Sequence, residues 1–163
     1  MRVTTLSLAA LLAAAVPAMA AISSSDRAFL TKDVQGSNYE LALAQLAAQK
    51  ATNDQIKSYA QKVASDHEQA NPQLQQLAQS KGVTPPQGMD SNDQTRLAGM
   101  QNLQGNDFDR AFVKEAKRIN AEDKRDSAKE QRTTRDPDIR AFLKRFASMD
   151  AEHDQAAKAL PTS

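Results

Sequence analysis

Apolar residues recur along this chain at intervals of three and four, and nowhere alternate over the length of a strand. Phe29, Leu30, Val34, Leu41, Leu43 and Leu46 predict a first helix over about 26–51, capped by Ser25 or Asp26. Gly36-Ser37 predicts an interruption in it, and a place where a neighbouring helix can come close. Asn53 reads as the cap of a second helix over about 53–81, whose stripe is Ile56, Tyr59, Val63, His67, Ala70, Leu74 and Leu77. Pro72 falls inside that stripe, so a bend or one open hydrogen bond is expected near Glu68. After a Pro85-Pro86 loop comes a short helix over 93–103, capped by Ser91 or Asn92. Asn106 then caps a helix over 106–132 on Phe108, Phe112, Ala116 and Ile119. Asp136 caps the last helix, 137–159, with Pro137 at the favoured first position and Ile139, Phe142, Phe146, Met149, His153 and Ala156 as its stripe.

The order of these elements predicts a topology. Tight turns join the first helix to the second and the 106–132 helix to the last, so each pair forms an antiparallel hairpin. The two turns resemble each other: Asn53-Asp54-Gln55-Ile56-Lys57-Ser58-Tyr59 echoes Asp136-Pro137-Asp138-Ile139-Arg140-Ala141-Phe142, a trace of internal duplication. The connection of about twenty residues between the hairpins, carrying its own short helix, suits a crossover. The expected fold is therefore all-α, a ferritin-like four-helix bundle of two hairpins joined by a long crossover.

The first twenty residues stand apart from this pattern. Arg2 precedes an apolar run from Leu6 to Val16, too short for a permanent span, and Ala18-Met19-Ala20 offers small residues for cleavage. Residues 1–20 read as a secretory signal peptide and 21–163 as one bundle domain, exported to the periplasm by the general route. Without Arg2 the remaining chain has twenty Lys plus Arg against twenty Asp plus Glu. A balance of zero argues against nucleic-acid and anionic-membrane partners, which need a basic excess. There is no cysteine, so stability must come from packing. Nothing after the leader has the length and apolarity of a membrane span.

The chain contains two histidines, and both lie on apolar stripes. At about 1.5 Å per residue, His67 stands roughly 21 Å beyond its cap and His153 roughly 25 Å beyond its own. Both are near mid-height of the bundle. Equal counts into the other two long helices reach Glu40 and Asn120, so one polar residue per helix can meet in one layer. Such a layer can fix helix register through its own hydrogen bonds. It can equally supply a metal site of two imidazoles and a carboxylate, Glu40, His67 and His153, a set suited to iron, zinc or copper. A complete di-iron site is not spelled out, because Ala64 stands three residues before His67; Asp150 does stand three before His153. No nucleophile triad, phosphate loop or Cys/His cluster is present. The charge-rich stretch from Arg110 to Arg135 reads as a solvated helix face.

The run Glu40-Leu41-Ala42-Leu43-Ala44-Gln45-Leu46-Ala47 resembles the first helix of a bacterial exported family, the domain of unknown function 4142, often labelled "predicted outer membrane protein". Ile56 to Ala60 with Asp66-His67, Leu77-Ala78 with Gly82-Val83, Phe108-Asp109-Arg110-Ala111-Phe112 and Glu152-His153 extend the resemblance. It implies a ferritin-like fold in the periplasm or envelope and no established activity. In that family a histidine commonly stands twelve residues after the Phe of the Phe-Asp-Arg motif; here that position is Asn120, a poor transition-metal ligand. The outer-membrane label finds neither barrel nor anchor in these residues. Two functional expectations follow: a non-enzymatic envelope protein that binds a partner or aids stress tolerance, and a metal-binding or metal-dependent redox protein using the core layer.

Overall fold

The computed structural model describes residues 22–161. Among them run five helices and no strand: α1 Ser24–Lys50, α2 Asp54–Ser80, α3 Ser91–Gln101, α4 Gly105–Thr133 and α5 Pro137–Ala159. The leader and its cut after Ala20 lie outside the described residues. Asn53 and Asp136 cap α2 and α5 through bonds to two backbone N–H groups each. Three caps differ from expectation. Ser23, not Ser25 or Asp26, caps α1 in a reciprocal box with Asp26, and Asp90 caps α3. α4 begins at Gly105, whose φ of +53° suits glycine, and Asn106 does not cap it.

Gly36-Ser37 does not interrupt α1, which is continuous. One glycine costs a helix about 1 kcal/mol, less than the packing of its apolar face supplies. Nor does a neighbour press on Gly36: a Cβ there would meet no atom within 4 Å. α2 also runs on through Pro72. Pro72 and Glu68 are both exposed, so the carbonyl that loses its partner faces water.

Hairpins α1–α2 and α4–α5 pack side by side, α1 against α4 and α2 against α5. The crossover climbs the length of α1. Arg27, Asn38 and Lys50 donate in turn to the carbonyls of Gly82, Gly88 and Gln101, at 2.8, 3.3 and 2.6 Å. That path returns the chain to the end where α2 began, so α4 descends parallel to α2 and every adjacent pair of long helices is antiparallel.

The aspartate of the Phe108-Asp109-Arg110 motif holds the first hairpin turn. Its buried carboxylate accepts from Thr52 N, Thr52 Oγ1 and Asn53 N at 2.6 to 3.2 Å. At the opposite end Asp26 occupies the equivalent place at the second turn, buried near Thr134 and Glu130. The sequence around the two clamps is identical, Asp-Arg-Ala-Phe at 26–29 and 109–112. The offset of 83 residues is that of the two matching turns, a second trace of a duplicated hairpin. The same offset pairs Glu40 with Asp123, Ser37 with Asn120 and His67 with Asp150.

The core is split. One apolar cluster gathers Tyr39, Leu43, Ile56, Phe108 and Phe112; a second gathers Leu30, Val34, Leu74, Ile139 and Leu143. The polar layer lies between them.

Candidate metal centre

Glu40 from α1, His67 from α2, Asn120 from α4 and His153 from α5 all line one cavity of about 60 Å³ inside the bundle. The four-residue layer expected from helix heights is therefore assembled. The cavity is larger than one water requires, with room for an ion and a few waters. Helix periodicity adds three residues that the reading by heights did not assign to the layer: Asp33, two turns before Glu40; Asp123, one turn after Asn120; and Asp150, one turn before His153. No lysine or arginine lines the cavity.

Each imidazole is held by the nitrogen remote from the cavity's acids. The Ser37 hydroxyl donates its proton to Asn71 Oδ1, whose amide donates back to the Ser37 carbonyl at 3.3 Å. Ser37 Oγ, 2.8 Å from His67 Nδ1, must therefore accept from it. That leaves His67 Nε2 facing Glu40 Oε2 at 3.4 Å. On the other side Asp66 Oδ2 accepts from His153 Nε2 at 2.7 Å. His153 is only 4 % exposed, and its Nδ1 has no hydrogen-bond partner among the described residues. The two rings lie 5.8 Å apart, tilted by 30°. Asn120 is engaged elsewhere, donating to Tyr59 Oη at 3.0 Å and to the Ala116 carbonyl at 2.8 Å.

The electrostatics follow from burial and crowding. Burial alone would depress His67, but the Glu40 carboxylate beside it holds the imidazole above its usual range. Burial would likewise raise Glu40, yet His67 keeps it below the usual carboxylate range. Burial and Glu40, its counterpart at the 83-residue offset, together push Asp123 well up. Asp33 is raised to about 7 by burial, Asp150 and Glu40, and Asp150 to about 6 by burial and Glu40. His153 is lowered by burial, against the pull of Asp66, and is neutral.

Ser37, His67 and Glu40 form a chain that superficially matches a nucleophile, base and acid. It cannot act as one: the hydroxyl proton goes to Asn71, and His67 Nδ1 is a donor rather than a base toward Ser37. With the side chains as they stand, no three His, Asp or Glu groups among the described residues are close enough to ligate a single ion. Asp66 is the functional residue hardest to find from sequence. It sits beside His67 on a different face and reaches His153 only because α2 and α5 pack together.

The family Domain of unknown function (DUF4142) matches residues 11–160. The chain belongs to this family. Its fold is similar to the DUF305 fragment from Deinococcus radiodurans, with a TM-score of 0.72 at 12 % identity, covering 84 % of this chain and 95 % of that one. It is also similar to CopM in the Cu(II)-bound form, with a TM-score of 0.67 at 17 % identity over 82 % of this chain and 93 % of that one. CopM in an Ag-bound form, by co-crystallization, gives 0.65 at 17 % over 82 % and 92 %. At such identities the likeness concerns the fold alone. Among proteins of curated function none matches the chain in sequence. The family confirms the expected membership, and the solved structures agree with the all-α bundle. No helix among the described residues is long and apolar enough to cross a membrane.

Proposed function

We propose that this protein is a non-enzymatic binder of a divalent transition-metal ion, held in the bundle core between the two hairpins. The observation that carries this reading is the orientation of the two imidazoles. Each is fixed by a hydrogen bond from its outer nitrogen, His67 to Ser37 and His153 to Asp66, which turns His67 Nε2 toward Glu40 and leaves His153 Nδ1 without a hydrogen-bond partner among the described residues. Metal-binding histidines are commonly held in this way by an outer-shell acceptor, which sets the tautomer and raises ligand basicity.

The acids complete the donor set. Glu40, Asp123 and Asp150 line the same cavity, and no cationic side chain offsets them there. Rotamer changes of these carboxylates would close a shell around an ion. Imidazole with carboxylate suits zinc, iron and copper(II). The absence of cysteine, with Met149 the only thioether on the cavity wall, disfavours copper(I) and silver(I). CopM in its Cu(II)-bound form supports the reading only as a similar bundle with a metal. Asn120, already committed to Tyr59 and Ala116, stays outside the ligand set. Export by a cleaved leader and residence in the periplasm belong to the same reading and rest on the pattern of residues 1–20.

The test is metal analysis of the mature protein after incubation with Zn(II), Fe(II) or Cu(II) and removal of excess by gel filtration. Wild type should retain close to one equivalent of at least one of these ions, and the His67→Ala/His153→Ala variant should not. Equal retention by both proteins, or none by either, sinks the proposal.

A further inference from the structure

A groove of about 230 Å³ runs along the seam between α1 and α4, below the crossover. It shares Asp33, Ser37, Glu40, Asp123 and Ser127 with the core cavity, so the two spaces meet at a common wall. Three of those five are acids. Gly36 faces the groove one turn beyond Lys32, with nothing for a Cβ to meet, and leaves the wall thin there. Inside lies His153, 4 % exposed, its Nδ1 without a hydrogen-bond partner among the described residues.

The mouth of the groove is bridged. Lys32 reaches from α1 across to α4, its Nζ 3.1 Å from Glu122 Oε1 and 2.6 Å from Asp126 Oδ2. It is the immediate neighbour of Asp33, and its side chain is 61 % exposed, so the bridge can open without disturbing the fold. A second groove, between α4 and α5, also reaches the cavity. It touches only one of the cavity's acids, Asp150, has a wall of Ala128, Leu143, Ala147 and Ala151, and carries Lys124 over Asp154 at 3.4 Å.

We infer that a divalent cation enters the core through the α1–α4 seam, and that Lys32 is a built-in counterion which occupies the mouth and yields to it. This rests on the cation reading above. The ammonium shares Glu122 with Arg118, which lines the groove beside Arg96, and shares Asp126 with Arg125. An incoming ion displaces it electrostatically and passes to Asp33, then to Glu40 and Asp123. Charge at a narrow, low-dielectric mouth acts mainly on the rate of association.

The chain has two tyrosines and no tryptophan. Tyr39 lines the groove and Tyr59 lies 6.5 Å, ring to ring, from His153. Quenching of their fluorescence by Cu(II) in a stopped-flow mixer therefore reports arrival, with the double-histidine variant subtracted as the surface-binding blank. Lys32→Gln should speed association by at least about threefold at low salt, and the gain should shrink as salt is added. Asp33→Asn should slow it by a similar factor. Lys124→Gln removes the same charge at the rival groove and should leave the rate unchanged. Full copper uptake with Lys32→Gln no faster than wild type, or with Lys124→Gln accelerated as much, overturns the route while leaving the core site standing. Absence of uptake at equilibrium by the wild type of Cu(II), Zn(II) and Fe(II) alike overturns the core site and the route with it.

Discussion

Two carboxyls far from the cavity lie close together, and neither is ion-paired with a cation among the described residues. Asp26 and Glu130 are 4 % and 3 % exposed, and each has one oxygen without a hydrogen-bond partner. Two adjacent buried carboxylates cannot both ionise cheaply, and a proton between them resolves the conflict. Burial and Asp26 raise Glu130 to about 7, while Asp26, despite burial, is kept below its usual range by bonds from Glu130, Thr134 and Ser23. Apart from Asp26 on α1, the charged group facing Glu130 is Lys129 on its own helix. A carboxyl raised on folding stabilises the protein fully below its unfolded value, near 4.5, and loses that contribution as pH rises through about 7. Glu130→Gln mimics the protonated state at every pH. The variant should match wild type near pH 4.5 and exceed it by about 2 kcal/mol near pH 8 in urea denaturation. A constant difference across that range would show that the pair does not share a proton.

The hairpin turns are held from outside themselves. Asp109, itself buried, satisfies the backbone N–H groups of Thr52 and Asn53 at the start of α2. Removing its carboxylate takes away charge-assisted hydrogen bonds from Thr52 N, Thr52 Oγ1 and Asn53 N, a loss on the order of 3 kcal/mol. Asp109→Ala should therefore lower Tm by roughly 10 °C for a domain of this size. Its effect on metal retention should be slight, because the clamp and the cavity occupy different heights of the bundle. The Phe-Asp-Arg motif is thereby assigned to architecture. A variant that keeps its melting temperature but loses the metal would place Asp109 in the site instead. The capping differences belong with this finding: Ser23 prevails over Ser25 because the partner Asp26 sits three residues on and is anchored by the second turn.

The proposed ligands come from both hairpins, Glu40 and His67 from one, Asp123, Asp150 and His153 from the other. An ion bound to all of them would staple the hairpins along the seam where they meet. Binding to the folded state alone stabilises it by about 2.7 kcal/mol at a hundredfold excess over Kd. Zn(II) at that excess should raise Tm by roughly 8 °C, and a chelator should reverse the shift. His67→Ala/His153→Ala should show no shift. A shift that persists in this variant would place the ion elsewhere.

Much of this was legible before the fold was described. Period and caps located four long helices and the short one, because an amphipathic helix must show its buried face in the spacing of its apolar residues. Heights along those helices brought Glu40, His67, Asn120 and His153 to one level, because the rise per residue is constant. The 83-residue offset is also written in the chain, in the repeated Asp-Arg-Ala-Phe. Other features depend on which helix lies beside which. Nothing local tells Asp66 of α2 that His153 of α5 will be its partner, or Asp26 that it will meet Glu130. The orientation of each imidazole, the absence of any cation in the cavity and the bridge of Lys32 across the seam arise the same way. A side chain's pKa and its free nitrogen are set by neighbours that are 30, 87 or 94 residues away, brought close only by packing.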